Sequence, residues 1–278
     1  MSAPAGGVGR SRGLIVIGER LNSSRRAVLE ALRARDEAYL VGEARAQQAA
    51  GASYIDLNAA ALLDREIETL AWAVPLLQRE LEVALAIDTP RAEAMEAGLR
   101  LHKGTAVLNS LTGETGSLRR LLPVVREHKP RVIALCLDDE GIPATADREV
   151  AIARRLVETL EGEGVAPQDI FIDPLVRPVG VDPDATTQFL TALEAIKRHL
   201  PQVKTVAGIS NVSFGLPLRR VLNRALLMLV LDKGLDAAIL DPLDKDMMST
   251  LAAGRVLLGK DPGYKDFLRL ARSQKPPK

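Results

Sequence analysis

Short apolar runs recur along the chain, and many of them end on a carboxylate or carboxamide side chain. Six of these runs read LIVIGERLN (14–22), YIDLN (54–58), VALAIDT (83–89), AVLNS (106–110), IFIDP (170–174) and TVAGISN (205–211). A short continuous apolar run is typical of a strand that is buried on both faces, as in a parallel sheet. Polar groups at the ends of many parallel strands are typical of the catalytic face of a (β/α)₈ barrel.

Helical patterns alternate with these strands along the chain. The predicted strands cover 14–18, 53–57, 83–87, 106–109, 132–137, 170–173, 205–209 and 237–240. The predicted helices cover about 25–34, 36–51, 64–80, 90–101, 116–128, 146–162, 184–199, 217–233 and 244–258. The alternation predicts an α/β protein with a single (β/α)₈ TIM-barrel domain over residues 14–258. A doubly wound sheet is the alternative. Such a sheet is expected to have a Gly-rich phosphate loop after its first strand, and the turn at that place in this sequence has no such pattern.

Three segments lie outside the minimal strand–helix unit. Residues 1–13 are small and Gly-rich, and we predict that they form a disordered N-terminal tail. The loop at 175–187 is long and rich in Pro and Asp, so it is expected to cover the pocket mouth. Residues 259–278 form a C-terminal extension, with one short helix predicted at 264–272.

Composition and charge predict a soluble cytoplasmic protein. Of the 278 residues 47% are hydrophobic, and the formal net charge is only +1, so nothing indicates nucleic acid or an anionic membrane as a partner. The longest apolar stretch, 225–231, is far shorter than the roughly 20 residues that span a bilayer. The first residues have no apolar core, so no signal peptide is predicted. The single cysteine, Cys136, excludes an internal disulfide and a cysteine metal cluster.

The strand ends place a set of polar side chains at the predicted barrel mouth. Burying so many polar groups at one end of a core costs a few kcal/mol each unless partners or a ligand satisfy them. Any one of them has a structural explanation as a helix cap or an Asp-Pro turn, but the whole set indicates a binding site. The set comprises Glu19, Asn22, Asp56, Asn58, Asp88, Asn109, Ser110, Asp138, Asp173, Ser210, Asn211 and Asp241.

Several reactions lack the side chains that they need at this mouth. His102, His128 and His199 lie at helix ends or in connections, so no histidine zinc site is predicted. Lys204 precedes its strand, which leaves Schiff-base chemistry without a nucleophile. A mouth rich in amides and acids suits a flat heterocycle with alternating donors and acceptors, such as a pterin. Carboxylate binding of Mg²⁺ stays open through Asp56, Asp88, Asp173 and Asp241.

The order and spacing of short motifs resemble the pterin-binding methyltransferases over nearly the whole of residues 14–258. The motifs are IGERLN (17–22), DLN (56–58), IDT followed by EAMEAGL (87–99), LNS (108–110), GIP (141–143), IDPL (172–175), GISNVS (208–213), LNR (222–224) and GLDAAI (234–239). The set is most similar to the methyltetrahydrofolate:corrinoid/iron–sulfur protein methyltransferases. GISNVS also resembles the folate domain of cobalamin-dependent methionine synthase.

The resemblance implies a pterin-binding barrel of the dihydropteroate synthase-like kind. It implies transfer of the N5-methyl group of 5-methyltetrahydrofolate to cob(I)alamin on a separate corrinoid protein, and a homodimer. Asp88, Asn109 and Asp173 resemble the residues that hold the pterin edge, Asn211 is similar to a mobile asparagine facing N5, and Arg219 resembles a folate-contacting arginine. Asn211 and Asp88 are the predicted catalytic pair. The predicted substrate-binding set is completed by Glu19, Asn22, Asp56 and Asn58.

Two alternatives remain beside this prediction. A dihydropteroate synthase-like enzyme shares the fold, although DLNAA follows the second strand and no Ser-Arg-Lys follows the seventh. A pterin-binding protein without catalysis is the other alternative. The segment Phe214–Leu218 diverges from the branch that uses a corrinoid/iron–sulfur partner, so the identity of the partner stays open. The sequence has no Asp-x-His-x-x-Gly corrinoid signature, so cobalamin is expected on the partner and not bound stably by this chain.

Overall fold

A computed structural model describes residues 13–273, which form a closed barrel of eight parallel strands. The strands pair in chain order, and β1 pairs with β8 to close the ring. They are β1 (Ile15–Asn22), β2 (Tyr54–Asn58), β3 (Ala84–Asp88), β4 (Val107–Thr112), β5 (Arg131–Leu135), β6 (Ile170–Asp173), β7 (Lys204–Gly208) and β8 (Ala237–Leu240). The predicted (β/α)₈ architecture is confirmed. The tail predicted at 1–13 falls almost wholly outside the described residues.

Helices follow every strand and surround the barrel. They are α1 (Arg26–Ala34), α2 (Glu37–Ala49), α3 (Glu66–Glu80), α4 (Ala92–Leu101), α5 (Thr115–His128), α6 (Ala146–Gly162), α7 (Ala185–His199), α8 (Arg219–Asp232), α9 (Lys245–Leu257) and α10 (Lys265–Ser273). Short 3₁₀ helices are η1 (Ala60–Arg65), η2 (Pro167–Asp169), η3 (Ile209–Ser213) and η4 (Pro262–Tyr264). Within residues 13–273, no helix is long and apolar enough to cross a bilayer.

The first strand is longer than predicted. It continues to Asn22, whereas the apolar pattern placed its end at residue 18. The pairing with β2 shifts between Gly18 and Leu21 and then resumes, with Asn22 opposite Asn58. Such a bulge leaves an extra residue of one strand unpaired, and the pairing continues beyond it.

Alternation along the strands decides which side chains enter the barrel. One layer of the interior contains Ile17, Ala86, Val107, Ile133, Phe171, Val206 and Ala237. Side chains on a strand point to the same face at every second residue, so the residues two positions later form the next layer toward the mouth. That layer includes Glu19, Asp88, Asn109, Leu135, Asp173, Gly208 and Ile239. The interior is therefore apolar at its centre and polar at the carboxyl ends of its strands.

The opposite end of the barrel is closed by aromatic rings and cations. The guanidinium of Arg131 lies over the ring of Tyr54 at 5.9 Å, and the ammonium of Lys204 lies over Phe171 at 5.1 Å. Lys204 is the first residue of β7, so it lies at this floor as predicted, away from the mouth. A cation over an aromatic face is favourable when partly shielded from water.

A histidine that the sequence placed away from the mouth has a structural role. His102 follows α4, and its Nε2 accepts a hydrogen bond of 3.1 Å from the N–H of Leu85 in β3. Burial lowers the pKa of His102, which keeps the ring neutral and able to accept. His102 therefore ties a helix end to the sheet and is not part of the chemistry at the mouth.

Replacing the central aromatic ring is expected to destabilise the barrel strongly. Phe171 is 1% exposed, so Phe171→Ala leaves an interior cavity and should lower the free energy of unfolding by about 3–5 kcal/mol. Urea denaturation followed by circular dichroism measures the change. Phe214→Ala is the matched control, because Phe214 is 67% exposed. Similar losses in the two variants would contradict the assignment of Phe171 to the core.

Candidate active site

The mouth of the barrel opens into a cavity of about 670 Å³, a volume typical of sites for small molecules. All of the predicted site residues except Asn58 and Asp138 line it. The lining includes Glu19, Asn22, Asp56, Asp88, Asn109, Asp173, Ser210, Asn211, Arg219 and Asp241. The structure therefore brings together side chains that are far apart in the chain: Glu19 and Asp241, which are 222 residues apart, both line this cavity.

Strand register places three of the polar side chains in one row. Asn58 of β2 pairs with Asp88 of β3, and Asp88 pairs with Asn109 of β4. The Nδ2 of Asn58 donates to Asp88 Oδ2 at 3.0 Å. The Nδ2 of Asn109 donates to Asp56 Oδ1, also at 3.0 Å, and that carboxyl is only 2% exposed. These bonds fix the orientation of both amides.

Asp56 and Asp88 lie close enough together for each carboxyl to affect the pKa of the other. Burial, with the neighbouring Asp88, raises the pKa of Asp56 well above its usual range. Burial also raises the pKa of Asp88, to about 6, although hydrogen bonds from Asn58 and Asp56 lower it. For Asp56 this direction favours the protonated form, because a buried carboxylate is costly beside a second carboxyl.

Asn58 supports the cavity wall from behind. Its Oδ1 accepts from the hydroxyl of Ser23 at 2.8 Å and from the N–H of Ala60 at 3.1 Å. With both acceptor positions used, the amide nitrogen must face Asp88. Asn58 thus reaches a ligand only through Asp88.

Asp173 lies on the opposite side of the mouth, at the end of β6. Its Oδ1 accepts a 2.8 Å hydrogen bond from the N–H of Leu175, and the side chain is 7% exposed. Burial raises the pKa of Asp173 to about 7, against the opposing effect of the Leu175 hydrogen bond. A carboxyl with a pKa near neutrality accepts hydrogen bonds from a ligand once it is ionised, and donates one while it is protonated.

The segment that carries Asn211 is fixed by its neighbours. The hydroxyl of Ser210 donates to Glu19 Oε1 at 2.7 Å, which joins η3 to β1 across the mouth. Arg219 donates to the carbonyl of Ser210 at 2.9 Å and to the hydroxyl of Ser213 at 3.1 Å. Among the described residues, the side-chain amide of Asn211 makes no hydrogen bond, and it is exposed to the cavity. The backbone of η3 is therefore held while the Asn211 amide is free to act on a ligand.

One predicted mouth residue, Asp138, does not line this cavity. Strand β5 ends at Leu135, two residues earlier than predicted, and Asp138 instead forms a bridge with Gly141. Its carboxylate accepts from Arg148 at 3.1 Å and from Arg155 at 3.0 Å, in a separate cavity of about 390 Å³. The prediction was wrong because the chain turns outward before Asp138. Cys136 is buried, and burial raises the pKa of its thiol well above the usual range.

Sequence reasoning missed several lining residues. Leu135 and Ile239 form apolar walls, and their signal was the two-residue alternation from Ile133 and Ala237. Arg25 and Arg220 add positive charge at the rim beside Arg219, and no strand-end pattern marks them because they lie next to helix starts. Within residues 13–273, no group of three or more His, Cys, Asp or Glu side chains is placed to hold a metal ion.

A closed parallel barrel with amides and carboxyls around its mouth is typical of barrel enzymes that bind small molecules at the carboxyl ends of their strands. The sequence profile described as "pterin binding enzyme" matches residues 18–241. Methylcorrinoid:tetrahydrofolate methyltransferase of Eubacterium limosum is 34% identical over 250 residues, which cover 89% of this chain and 92% of that protein. The chain belongs to the pterin-binding enzyme family.

Further relatives agree with this assignment. Methionine synthase of Mycobacterium tuberculosis is 30% identical over 239 residues, which are 81% of this chain but only 20% of that protein. Among solved structures, the dihydropteroate synthase of Yersinia pestis matches with a TM-score of 0.67 at 16% identity, covering 89% of this chain and 93% of that chain. The Xanthomonas albilineans dihydropteroate synthase matches with a TM-score of 0.67 at 20% identity, covering 89% and 92%. These two structures support the fold alone.

Replacing Asp173 by Asn is expected to stabilise the protein more at pH 8 than at pH 5. The wild-type carboxyl holds its proton in the folded state up to its pKa of about 7, whereas the unfolded chain releases it near about pH 4. The free energy of unfolding of the wild type therefore falls as pH rises between those two values. Asn does not ionise, so the variant avoids this decrease. Denaturation midpoints at both pH values measure the difference.

Asp64→Asn is the matched control for this experiment, since Asp64 is exposed on η1. It should change stability little at either pH. An advantage of Asp173→Asn that does not grow with pH would contradict the inference that burial keeps Asp173 protonated.

Proposed function

We propose that this chain is a methyltransferase that moves the N5-methyl group of 5-methyltetrahydrofolate to cob(I)alamin carried by a separate corrinoid protein. The observation that carries the proposal is the position of Asn211, which faces the same cavity as Asp88, Asn109 and Asp173. The identity of 34% to a methyltransferase named for methylcorrinoid and tetrahydrofolate supports the same activity. The proposed residues bind the pterin on one side of the cavity and act on N5 from the other.

The pterin edge is proposed to bind at Asp173, Asn109 and Asp88. A pterin presents N–H donors on its amino-pyrimidinone edge beside ring acceptors. The free oxygen of Asp173 accepts such donors when the group is ionised, and an amide such as Asn109 offers both a donor and an acceptor. Hydrogen bonds from the ligand to Asp173 favour the ionised form, so pterin binding lowers its pKa.

The difficult step is the departure of the methyl group from N5, a tertiary amine that leaves poorly. N5 must gain a proton or a strong hydrogen bond as its bond to the methyl group breaks. No histidine lines the described cavity, so the Asn211 amide is proposed to donate to N5. Burial raises the pKa values of Asp56 and Asp88, and this pair is proposed to supply the proton through water. Such donation accelerates the reaction only if it is stronger in the transition state.

The rim of the cavity suits the acidic end of a folate. Arg25, Arg219 and Arg220 line the mouth on the side of β1 and α8. Folates carry a glutamyl tail with two carboxylates, and arginine pairs well with carboxylates at a partly exposed site. We propose that this rim holds the tail while the pterin enters the cavity.

The corrinoid is a substrate that must reach N5 from outside the barrel. The barrel interior is filled by its own side chains, so it has no room for a corrin ring. Exposed apolar side chains lie on the loops after β2, β5, β6 and β7, and are proposed to contact the corrinoid protein. They are Leu63, Ile142, Val181, Phe214 and Leu218. A contact that forms and releases in each cycle favours a modest interface.

The homodimer implied by the resemblance and the cytoplasmic location implied by the composition are retained as proposals.

One experiment tests the function and its alternatives together. The protein is mixed with 5-methyltetrahydrofolate and chemically reduced cob(I)alamin, and the absorption change to methylcobalamin is followed with time. The name of the Eubacterium limosum relative gives the opposite direction of transfer, so the reverse mixture of methylcobalamin and tetrahydrofolate is measured as well. Transfer in either direction supports the proposal. Pterin binding without transfer would favour the protein without catalysis, and formation of dihydropteroate would favour the synthase.

Asn211→Ala is expected to lower kcat by about tenfold or more while KM changes little. The amide is proposed to act on N5 mainly in the transition state, so its removal costs turnover more than binding. Steady-state kinetics with varied methyltetrahydrofolate measure both constants.

Asp173→Ala provides the contrasting variant to Asn211→Ala. It removes a ligand hydrogen bond and should weaken binding by about tenfold or more in a calorimetric titration. If Asn211→Ala weakened only binding, Asn211 would be a binding residue and the proton would come from another group.

Corrinoid presented on its protein is expected to react much faster than free cobalamin at equal concentration. The exposed apolar loops then add binding energy that free cobalamin does not gain. The measurement compares kcat/KM for the two forms. Leu218 lies on the loop after β7 and is 77% exposed, so Leu218→Ser should reduce the rate only with the protein-bound form. Equal rates for both forms would remove the case for a dedicated partner.

A further inference from the structure

The last residue of β7 is a glycine at a position where neighbouring strands carry side chains into the cavity. Gly208 lies two residues after Val206 of the barrel interior and lines the cavity. Its φ of −79° and ψ of 98° are ordinary extended backbone that any residue adopts. Backbone conformation therefore gives no reason for a glycine here, and the reason must lie in the surroundings.

The space beside the Cα of Gly208 is occupied by the amide of Asn211. A Cβ built on residue 208 would lie 2.9 Å from Nδ2, 3.6 Å from Cγ and 3.9 Å from Oδ1 of Asn211, and these are its three nearest atoms. The first of these separations is well inside van der Waals contact, so a methyl group and the amide exclude each other.

The obstacle at Gly208 differs from those at Gly113 and Gly98. A Cβ at Gly113 would lie 2.7 Å from the backbone oxygen of Leu137, and one at Gly98 would lie 3.0 Å from the side chain of Ile87 in β3. Substitution at those positions disturbs the packing of the fold. At Gly208 the obstacle is the end of an exposed side chain, which moves by rotation at low cost.

We infer that Gly208 is a positioning residue, which leaves open the space in which the Asn211 amide rests at the end of β7. The inference rests on the proposed function, in which Asn211 acts on N5. A methyl group at 208 would displace the amide while η3 stays held by Glu19 and Arg219 through Ser210. The pterin edge at Asp173, on β6, would be unchanged.

A double-mutant cycle tests the inference by kinetics. Gly208→Ala is expected to lower kcat by about tenfold or more with KM within about twofold, since one transition-state hydrogen bond is lost. In the Asn211→Ala background the same change should have almost no further effect, because the amide that it displaces is gone. Gly42→Ala is the matched control, since a Cβ at Gly42 on α2 meets nothing within 4 Å. It should match the wild type.

Other kinetic outcomes contradict the inference. An equal loss in both backgrounds would mean that Gly208 makes room for the ligand or for the fold and not for Asn211. A change confined to KM, or no change, would overturn it as well.

A second readout separates this inference from the proposed function. The side-chain amide signals of Asn211 in a ¹⁵N correlation spectrum are assigned by their absence in Asn211→Ala. Gly208→Ala should shift them, whereas Gly42→Ala should not. A wild-type protein that transfers no methyl group would disprove the proposed function, while the amide signals would still show whether Gly208 positions Asn211. Unshifted signals in Gly208→Ala would disprove the positioning role even if the enzyme is active.

Discussion

Closure of the sheet in a fixed register is the constraint on which the site depends. Each strand end can offer a side chain to the mouth only if its neighbours hold it at the right height. The pairing of Asn58 with Asp88, and of Asp88 with Asn109, puts an amide on either side of a carboxyl. A slip of one residue would turn these side chains toward the helices and bring apolar ones into the cavity. The hydrogen bonds at the mouth are thus a consequence of backbone pairing far below it.

Closure of the barrel also shields carboxyl groups at the mouth from water, which raises their pKa values. Asp56, Asp88 and Asp173 all have pKa values raised chiefly by burial. Raised values are unfavourable for the folded protein above the pKa of an exposed carboxyl, and binding sites often keep such groups at a cost in stability. A ligand that donates hydrogen bonds to these groups relieves the cost on binding. Burial of these carboxyls therefore both lowers the stability of the folded protein and favours binding of a ligand that donates hydrogen bonds to them.

Much of the fold and of the candidate site could be predicted from the sequence, because short local patterns indicate both. Apolar runs mark the strands, and the polar residue that ends each run marks the mouth. Asp138 was misplaced because nothing local shows that β5 ends at Leu135 and that two arginines of α6 hold the following turn. Gly208 was missed because a glycine offers no chemistry, and its meaning depends on a side chain three residues away that folds back over it. Arg219 lines the cavity and also donates hydrogen bonds to residues of η3. These hydrogen bonds could not be predicted from the sequence, because they depend on the tertiary structure.

The floor of the barrel has a consequence for the order of events at the mouth. Arg131 and Lys204 cover the rings of Tyr54 and Phe171 at that end, and the interior above them is filled. In the described barrel, the cavity is therefore closed at the floor and open to solvent at the mouth. A small molecule that binds deep in the cavity has to enter before a large one settles over the opening, and it leaves only after the large one has gone. Under the proposed function the two substrates differ greatly in size, so the smaller one must arrive before the larger one covers the opening and leave after it.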